Sequence, residues 1–127
     1  MVAMCGLGCM SEVDEALALA EEEARSSAPM RRRDSCNKAF LAVIKAVDQL
    51  LVKRGYPEPQ RHGDRFAYLR ELESKVPEIG KAELSEKLGA RFSKAHVACF
   101  YEGKVELAEE EVGKARKLVE EIGKFLQ

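Results

Sequence analysis

The sequence predicts an all-α protein, an up-and-down bundle of about five helices in one domain. Apolar residues recur at the helical spacing of three and four through most of the chain, and no segment alternates with a period of two. Aromatic residues make up 6% of the 127 residues and Trp is absent, whereas β-rich domains use aromatic and β-branched residues heavily. The length suits one domain. We therefore expect residues 11–127 to form a single helical domain, preceded by a flexible tail over residues 1–10.

The first two helices are predicted from their start signals and apolar faces. Ser11, followed by Asp14, is a typical N-cap, and the first helix is expected to stop near residues 26–29. The second helix is the most regular and ends at a Gly55 stop. Its apolar positions keep the three-four rhythm throughout: Cys36, Ala39, Phe40, Val43, Ile44, Val47, Leu50 and Leu51. We expect this helix to be the centre of the core.

A loop over residues 55–63 follows, because Pro57 and Pro59 are incompatible with a helix interior. Asp64 is then predicted to cap a short helix that Pro77 closes. This helix carries its apolar residues at helical spacing, namely Phe66, Leu69, Leu72 and Val76.

Two helices are predicted in the last third of the chain. The first starts at Lys81 and aligns its apolar residues on one stripe: Leu84, Leu88, Phe92, Ala95 and Cys99. Residues 102–103 are expected to form a turn, and the last helix then runs to about Leu126.

The middle of the chain is basic. Residues 25–70 carry 11 Lys/Arg and 4 Asp/Glu, a net charge of +7, whereas the remainder carries −8 and the whole chain −1. Such a segment is either an anion-binding face or a set of solvated helix faces whose charges pair within the fold. The candidate anion contacts are Arg31, Arg32, Arg33, Arg61 and Arg65. Because a helix N-terminus disfavours cations, the first three are expected to contact RNA phosphates or an acidic partner surface, or else to pair with the Glu-rich first or last helix.

Neither a metal nor a cofactor is predicted. The four Cys and two His residues do not fall at the spacing of a metal site. The apolar start of the chain lacks the charged region of a secretory signal, and no apolar run approaches the length of a membrane span. We therefore expect a cytoplasmic protein whose thiols are reduced.

One segment carries a recognisable motif. Arg91 is followed after four residues by His96, and the segment ends in Phe100, Tyr101 and Glu102. This pattern resembles the HEPN superfamily of small all-α bundles, whose signature is an Arg, four to six intervening residues and a His. Residues 39–72 are similar to an archaeal subset of that superfamily, and the resemblance as a whole covers residues 12–126.

The resemblance implies a homodimer, or pairing with a nucleotidyltransferase partner protein. It also implies metal-independent endoribonuclease activity of the kind found in toxin–antitoxin and stress systems. Carried over to this chain, Arg91 and His96 are the expected catalytic pair, with Lys94 and Tyr101 as supporting binding residues. The chemistry is consistent, because RNA supplies its own nucleophile, the 2′-hydroxyl. An imidazole that moves a proton and a cation that stabilises the phosphorane can then suffice.

Three interpretations stay open. On an ideal α-helix Arg91 and His96 are about 140° apart, so both reach one phosphate only if the helix is distorted or if two chains form a composite site. The first interpretation is the endoribonuclease. The second is a non-catalytic nucleotide- or RNA-binding module, or a nucleotidyltransferase partner, that uses the basic face. The third is a dimeric structural domain in which His96 is an inert histidine at the edge of the core.

Overall fold

A computed structural model describes the backbone of residues 6–127 and the side chains of residues 12–127. The described part is helical and contains no strand, which confirms the predicted all-α bundle. The α-helices are α1 (Gly6–Ala24), α2 (Pro29–Lys53), α3 (His62–Lys75), α4 (Pro77–Ala82), α5 (Leu84–Arg91) and α6 (Ala108–Lys124). A π-helix (Phe92–Tyr101) and a short 3₁₀ turn (Val105–Leu107) lie between α5 and α6.

Helix α2 is the centre of the bundle, as its apolar rhythm predicted. It packs against α1, α6 and the π-helix, and it buries most of the residues of its predicted apolar face. Val43, Val47, Leu50 and Leu51 are completely inaccessible to solvent. The stop at Gly55 is also confirmed, because this residue has a φ of +95°, which glycine adopts without a steric penalty.

Two predicted helix starts are wrong. Helix α1 begins at Gly6 and runs through Ser11, so Ser11 is not its N-cap. The predicted tail over residues 1–10 is therefore helical from Gly6 onward, and the rest of it lies outside the described residues. Helix α3 begins at His62 rather than after Asp64, so that His62 lies in its first turn instead of in the preceding loop.

The helix predicted from Lys81 is interrupted. Glu83 has a left-handed backbone (φ 54°), and this residue separates α4 from α5. The carboxylate of Glu73 on α3 caps the new helix, accepting hydrogen bonds from the Ser85 backbone N–H (2.9 Å) and hydroxyl (2.6 Å). The start of α5 is thus set by a carboxylate from another helix, which satisfies N–H groups that have no partner within the helix itself.

The expectation of reduced thiols is wrong for Cys36 and Cys99. These residues form a disulfide between α2 and the π-helix, and neither has any solvent exposure. Their sequence separation of 63 residues gave no local signal for the pairing. Both lie on the apolar stripes predicted for their helices, so their burial agrees with the prediction and their oxidation does not.

Candidate functional site

The π-helix runs beside the first half of α2 and contacts it along its whole length. Arg33 of α2 reaches the end of the π-helix, Cys36 is bonded to Cys99, and the Phe40 ring lies 5.1 Å from the His96 ring between centroids. In a π-helix the hydrogen bonds run from residue i to i+5, and such segments are often found at functional sites. This pairing brings the predicted motif against the central helix of the bundle.

Six rings meet at this contact and are called here the histidine–aromatic cluster. Each ring lies about 5 to 6 Å, between centroids, from two or more of the others. The rings come from α2, α3 and the π-helix: Phe40, His62, Phe92, His96, Phe100 and Tyr101. Phe40 forms the buried base of the cluster, whereas Tyr101 is 64% exposed. The cluster therefore presents the Tyr101 ring to solvent and rests on a buried Phe40.

His96 lies at the middle of the cluster. Its ring is nearly parallel to Phe40 and to Phe100 (24° and 16°), and Tyr101 meets it edge-on at 5.0 Å. Its Nδ1 atom is buried and has no hydrogen-bond partner among the described residues. Burial, and to a lesser extent the neighbouring His62, lower the pKa of His96 below its usual value, so the imidazole is held neutral.

His62 is the second imidazole of the cluster, with its ring centroid 6.2 Å from that of His96. Arg65, one turn further along α3, donates from Nη1 to Nδ1 of His62 (3.0 Å). The same guanidinium binds both carboxylate oxygens of Asp48 on α2, at 2.6 and 2.8 Å. Burial and the Arg65 charge lower the pKa of His62, and Asp48 opposes the shift.

Arg65 was predicted to contact an external anion, and the structure places it inside the protein. Only 7% of the residue is exposed, and its guanidinium is shared between Asp48 and His62. Arg65 therefore links His62 of the cluster to Asp48 of α2 and is not part of an open basic face. Arg61, by contrast, lies on the surface beside His62, with its nearest carboxylate, Asp64, at 3.9 Å.

Arg91 and His96, the expected catalytic pair, contact different helices. Arg91 donates from Nη1 to Oε1 of Glu111 on α6 (2.8 Å), and both side chains are more than nine-tenths buried. Burial raises the pKa of Glu111, although the adjacent Arg91 works in the opposite direction. The free side of Arg91 borders a groove of about 420 Å³ between α5 and α6, lined also by Lys114 and Lys117. His96 faces α2 and α3 instead.

The other predicted supports of the motif are also separated. Lys94 is exposed and lies near enough to Glu110 of α6 to help lower the pKa of that carboxyl, so it belongs to the Arg91 side of the segment. Tyr101 lies on the His96 side, as part of the cluster. The sequence motif thus contributes residues to two different faces of the bundle.

The three arginines at the start of α2 are engaged within the chain. Arg33 donates to the carbonyl oxygens of Phe100 (2.7 Å) and Tyr101 (2.8 Å), at the end of the π-helix. Arg32 donates to the carbonyl of Ala24 at the end of α1 (2.7 Å). Cations are favourable at helix C-termini, where carbonyl groups lack partners and the dipole is negative. From the N-terminus of α2, Arg32 and Arg33 therefore stabilise the C-terminal ends of α1 and of the π-helix.

Two of these arginines also pair with the Glu-rich first and last helices, which was the other arrangement considered from the sequence. Arg31 lies 3.7 Å from Glu22 of α1, and Arg32 lies 3.7 Å from Glu109 of α6. These pairs are largely exposed on the glutamate side, so each contributes less than about 1 kcal/mol. The hydrogen bonds to helix ends are the stronger explanation for the arginine run.

Phe40 and Asp48 were not predicted to belong to this site. Phe92, His96 and Phe100 are spaced by four, which could have indicated one aromatic face on a helix. The contacts from α2 and α3 had no such signal, because they join residues far apart in the chain. His62 was interpreted as a loop residue and is held by the first turn of α3.

No protein-family model, curated protein or solved structure matches the chain. Among the helices of the described region, none has both the length and the apolar character needed to cross a membrane. Within the same residues, no three His, Cys, Asp or Glu side chains are grouped closely enough to hold a metal ion.

Proposed function

We propose that the protein is a metal-independent endoribonuclease that acts on single-stranded RNA, with His96 as the proton-transfer residue. The observation that carries this proposal is a neutral imidazole set among aromatic rings, one of which, Tyr101, is 64% exposed. Exposed aromatic rings bind single strands because every base can stack on them. A neutral imidazole beside the stacked base is the form required of a general base.

The reaction uses the 2′-hydroxyl of the RNA as nucleophile. The Nδ1 atom of His96 is buried, so proton exchange takes place through Nε2. Nε2 accepts the 2′-hydroxyl proton, the 2′-oxygen forms a bond to phosphorus, and the bond from phosphorus to the 5′-oxygen breaks. The leaving 5′-oxygen takes a proton from water, and the hydroxide formed takes the proton from Nε2, which restores the neutral imidazole. The products are a 2′,3′-cyclic phosphate and a 5′-hydroxyl end.

In this proposal Arg91 is a positioning residue rather than a phosphate clamp. Its ion pair with Glu111 anchors the end of α5 to α6 at the residue where the π-helix begins. His96 follows five residues later, so a shift of this anchor would move the imidazole relative to Phe40. The side chain acts on the site through the backbone.

Non-catalytic RNA binding is the second candidate function. The observation in its favour is the buried Nδ1 of His96, which has no hydrogen-bond partner among the described residues. General bases are commonly oriented by a hydrogen bond to a third group, and Nδ1 of His96 makes no such bond with the described residues. The same aromatic surface would then bind single strands without cleaving them.

The test is a cleavage assay on a fluorescent single-stranded RNA in the presence of EDTA, which silences metal-dependent nucleases. We expect cleavage by the wild-type protein and a loss of about 10²–10⁴-fold in His96→Ala. Tyr101→Ala should weaken RNA affinity, whereas Val52→Ala, an exposed apolar position outside the cluster on α2, serves as the matched control. Binding without cleavage would establish the second candidate. Cleavage undiminished in His96→Ala would overturn the proposed mechanism.

We also propose that the protein forms a homodimer, as the family resemblance implies. Among the described residues, the large apolar side chains of Leu19 on α1 and of Met30 and Leu41 on α2 are exposed. Light scattering should give twice the chain mass of 14.2 kDa. A monomer mass would rule out a composite site between two chains. It would leave the nucleotidyltransferase partner to be tested by co-purification.

A further inference from the structure

We propose that Asp48 and Arg65 hold His62 as the neutral Nε2–H tautomer, so that His62 donates a hydrogen bond to a non-bridging phosphate oxygen of bound RNA and takes no part in proton transfer. The phosphate contact rests on the proposed function. The tautomer does not, because it follows from contacts within the protein.

Asp48 fixes the orientation of the Arg65 side chain. Its Nε and Nη2 bind the two carboxylate oxygens of Asp48 at 2.6 and 2.8 Å, a paired geometry that fixes the plane of the guanidinium. The residue is 7% exposed, so water does not compete strongly for these bonds. Nη1 is thereby directed at Nδ1 of His62, at 3.0 Å.

The contact with Arg65 determines which nitrogen of His62 carries the proton. A guanidinium has five N–H donors and no acceptor, so the contact is a hydrogen bond only if Nδ1 of His62 carries the lone pair. The single proton of the neutral ring must then be on Nε2. Protonating Nδ1 as well would place an N–H against an N–H and a second cation beside Arg65.

Other charges near His62 do not reverse this preference. Asp48 favours the charged ring, but both its oxygens are already bound to Arg65. The His96 ring lies 6.2 Å from the His62 ring between centroids and is itself held neutral. Arg61 is the adjacent residue and adds positive charge, while Asp64 lies beside Arg61 at 3.9 Å.

The Nε2–H group of His62 is left free to bind a ligand. The faces and edges of the His62 ring meet Phe40 and Phe92, at 5.8 and 5.4 Å between centroids, and the residue as a whole is exposed. Nε2 has no protein partner among the described residues. A fixed neutral donor beside the His96 imidazole is suited to the negative charge that develops on a phosphate during cleavage. The two imidazoles therefore have different roles in the proposed reaction: His96 transfers a proton and His62 donates a hydrogen bond.

The tautomer is tested by ¹⁵N NMR of the histidine side chains in the full chain. We expect His62 to show the Nε2–H pattern in the wild type and to titrate at a higher pH in Arg65→Met. Asp48→Asn/Arg65→Met removes both charges and keeps the test valid if the single variant fails to fold. An Nδ1–H pattern in the wild type, or a His62 titration that neither variant changes, would overturn the inference.

The donor role is tested with His62→Gln, whose amide keeps an N–H at the end of the side chain, and His62→Phe, which keeps the ring and loses the donor. We expect His62→Gln to keep most of kcat/KM and an unchanged pH–rate profile, and His62→Phe to lose about 10²–10³-fold. Loss of one limb of the profile in His62→Gln would show that His62 transfers a proton, contrary to the inference.

A failure of the proposed function would be recognised separately. If the wild type does not cleave RNA, affinity for a 2′-O-methyl RNA decides the donor role. His62→Phe should then bind more weakly than His62→Gln, and equal affinities would overturn the phosphate contact.

Discussion

Arg91 donates to Glu111 across 2.8 Å, and this pair is the most deeply buried ion pair of the described residues. It joins the end of α5 to the first turn of α6. Because burial makes an unpaired charge costly, removing one partner of such a pair destabilises a protein by about 3–5 kcal/mol.

We expect Arg91→Met to lose about that much free energy of unfolding, and Arg91→Met/Glu111→Leu to recover a large part of it. Urea denaturation followed by circular dichroism measures both. A loss under 1 kcal/mol in the single variant would contradict the pairing.

Arg91→Lys separates the two roles considered for this residue. A lysine can keep a single ion pair with Glu111, but it cannot copy a forked contact to a phosphate. If Arg91 is a positioning residue, we expect Arg91→Lys to reduce cleavage less than tenfold while its pH–rate profile stays that of the wild type. If the loss equals that of His96→Ala, Arg91 contacts the phosphate, as the sequence motif predicted.

Acidification should destabilise the protein through its two imidazoles. Burial lowers the pKa of each imidazole in the folded state, whereas in the unfolded chain each keeps its ordinary pKa of about 6.5. Below pH 6.5 the unfolded chain therefore binds more protons than the folded protein. Stability is expected to be level above that pH and to fall as the pH drops through the folded-state pKa values. Glu111 has the opposite effect on stability at lower pH, because its pKa is raised in the folded state and its protonation therefore favours folding.

Unfolding free energies at pH 7.5, 6.5 and 5.5 measure this dependence. The decline should be smaller in His62→Gln/His96→Gln than in the wild type. An identical decline in both proteins would mean that other groups cause it.

Loss of the disulfide should destabilise the bundle strongly. Cys36 and Cys99 close a loop with a sequence separation of 63 residues, for which the chain-entropy relation gives about 4 kcal/mol. Cys36→Ala/Cys99→Ala should lose up to this amount. Peptide mapping of the unreduced wild type should recover the two cysteines in one linked fragment, and finding them only as free thiols would contradict the structure.

Two helical glycines should respond in opposite ways to alanine. A Cβ at Gly80 of α4 would lie 2.7 Å from the carbonyl oxygen of Glu73, a contact that the backbone cannot relieve cheaply. A Cβ at Gly113 of α6 meets nothing within 4 Å. We expect Gly80→Ala to lose about 1–3 kcal/mol. Gly113→Ala should gain close to 1 kcal/mol from helix propensity. Thermal melts of both compare the signs, and a stabilised Gly80→Ala would contradict the packing of α3 on α4.

The parts of this fold that could be predicted are those set by local pattern. The apolar face of α2 and the stop at Gly55 depend on residues close together in the chain, and both are confirmed. The break at Glu83 could not be predicted, because Glu73 from α3 supplies the cap of the following helix. The disulfide and the Arg33 contacts likewise join residues more than sixty positions apart.

The candidate site was predicted in part. His96 and Tyr101 were selected from the motif and lie in one cluster, whereas Arg91 and Lys94 face α6. The basic run Arg31–Arg33 was predicted either to bind anions or to pair within the fold, and its contacts are within the chain. A charge count shows that cations are present, but only the fold shows which helix ends and carboxylates they meet.

The π-helix also limits how the chain length can vary between Arg91 and Cys99. Each turn of a π-helix holds more residues than a turn of an α-helix, so deleting one residue there would allow ordinary α-helical hydrogen bonding to resume. One residue corresponds to about 100° of rotation on an α-helix. Either the imidazole would then leave Phe40 or Cys99 would leave Cys36, since both contacts are held by neighbouring turns of α2. Single-residue insertions and deletions in this segment should therefore be far less tolerated than in the loop before α3.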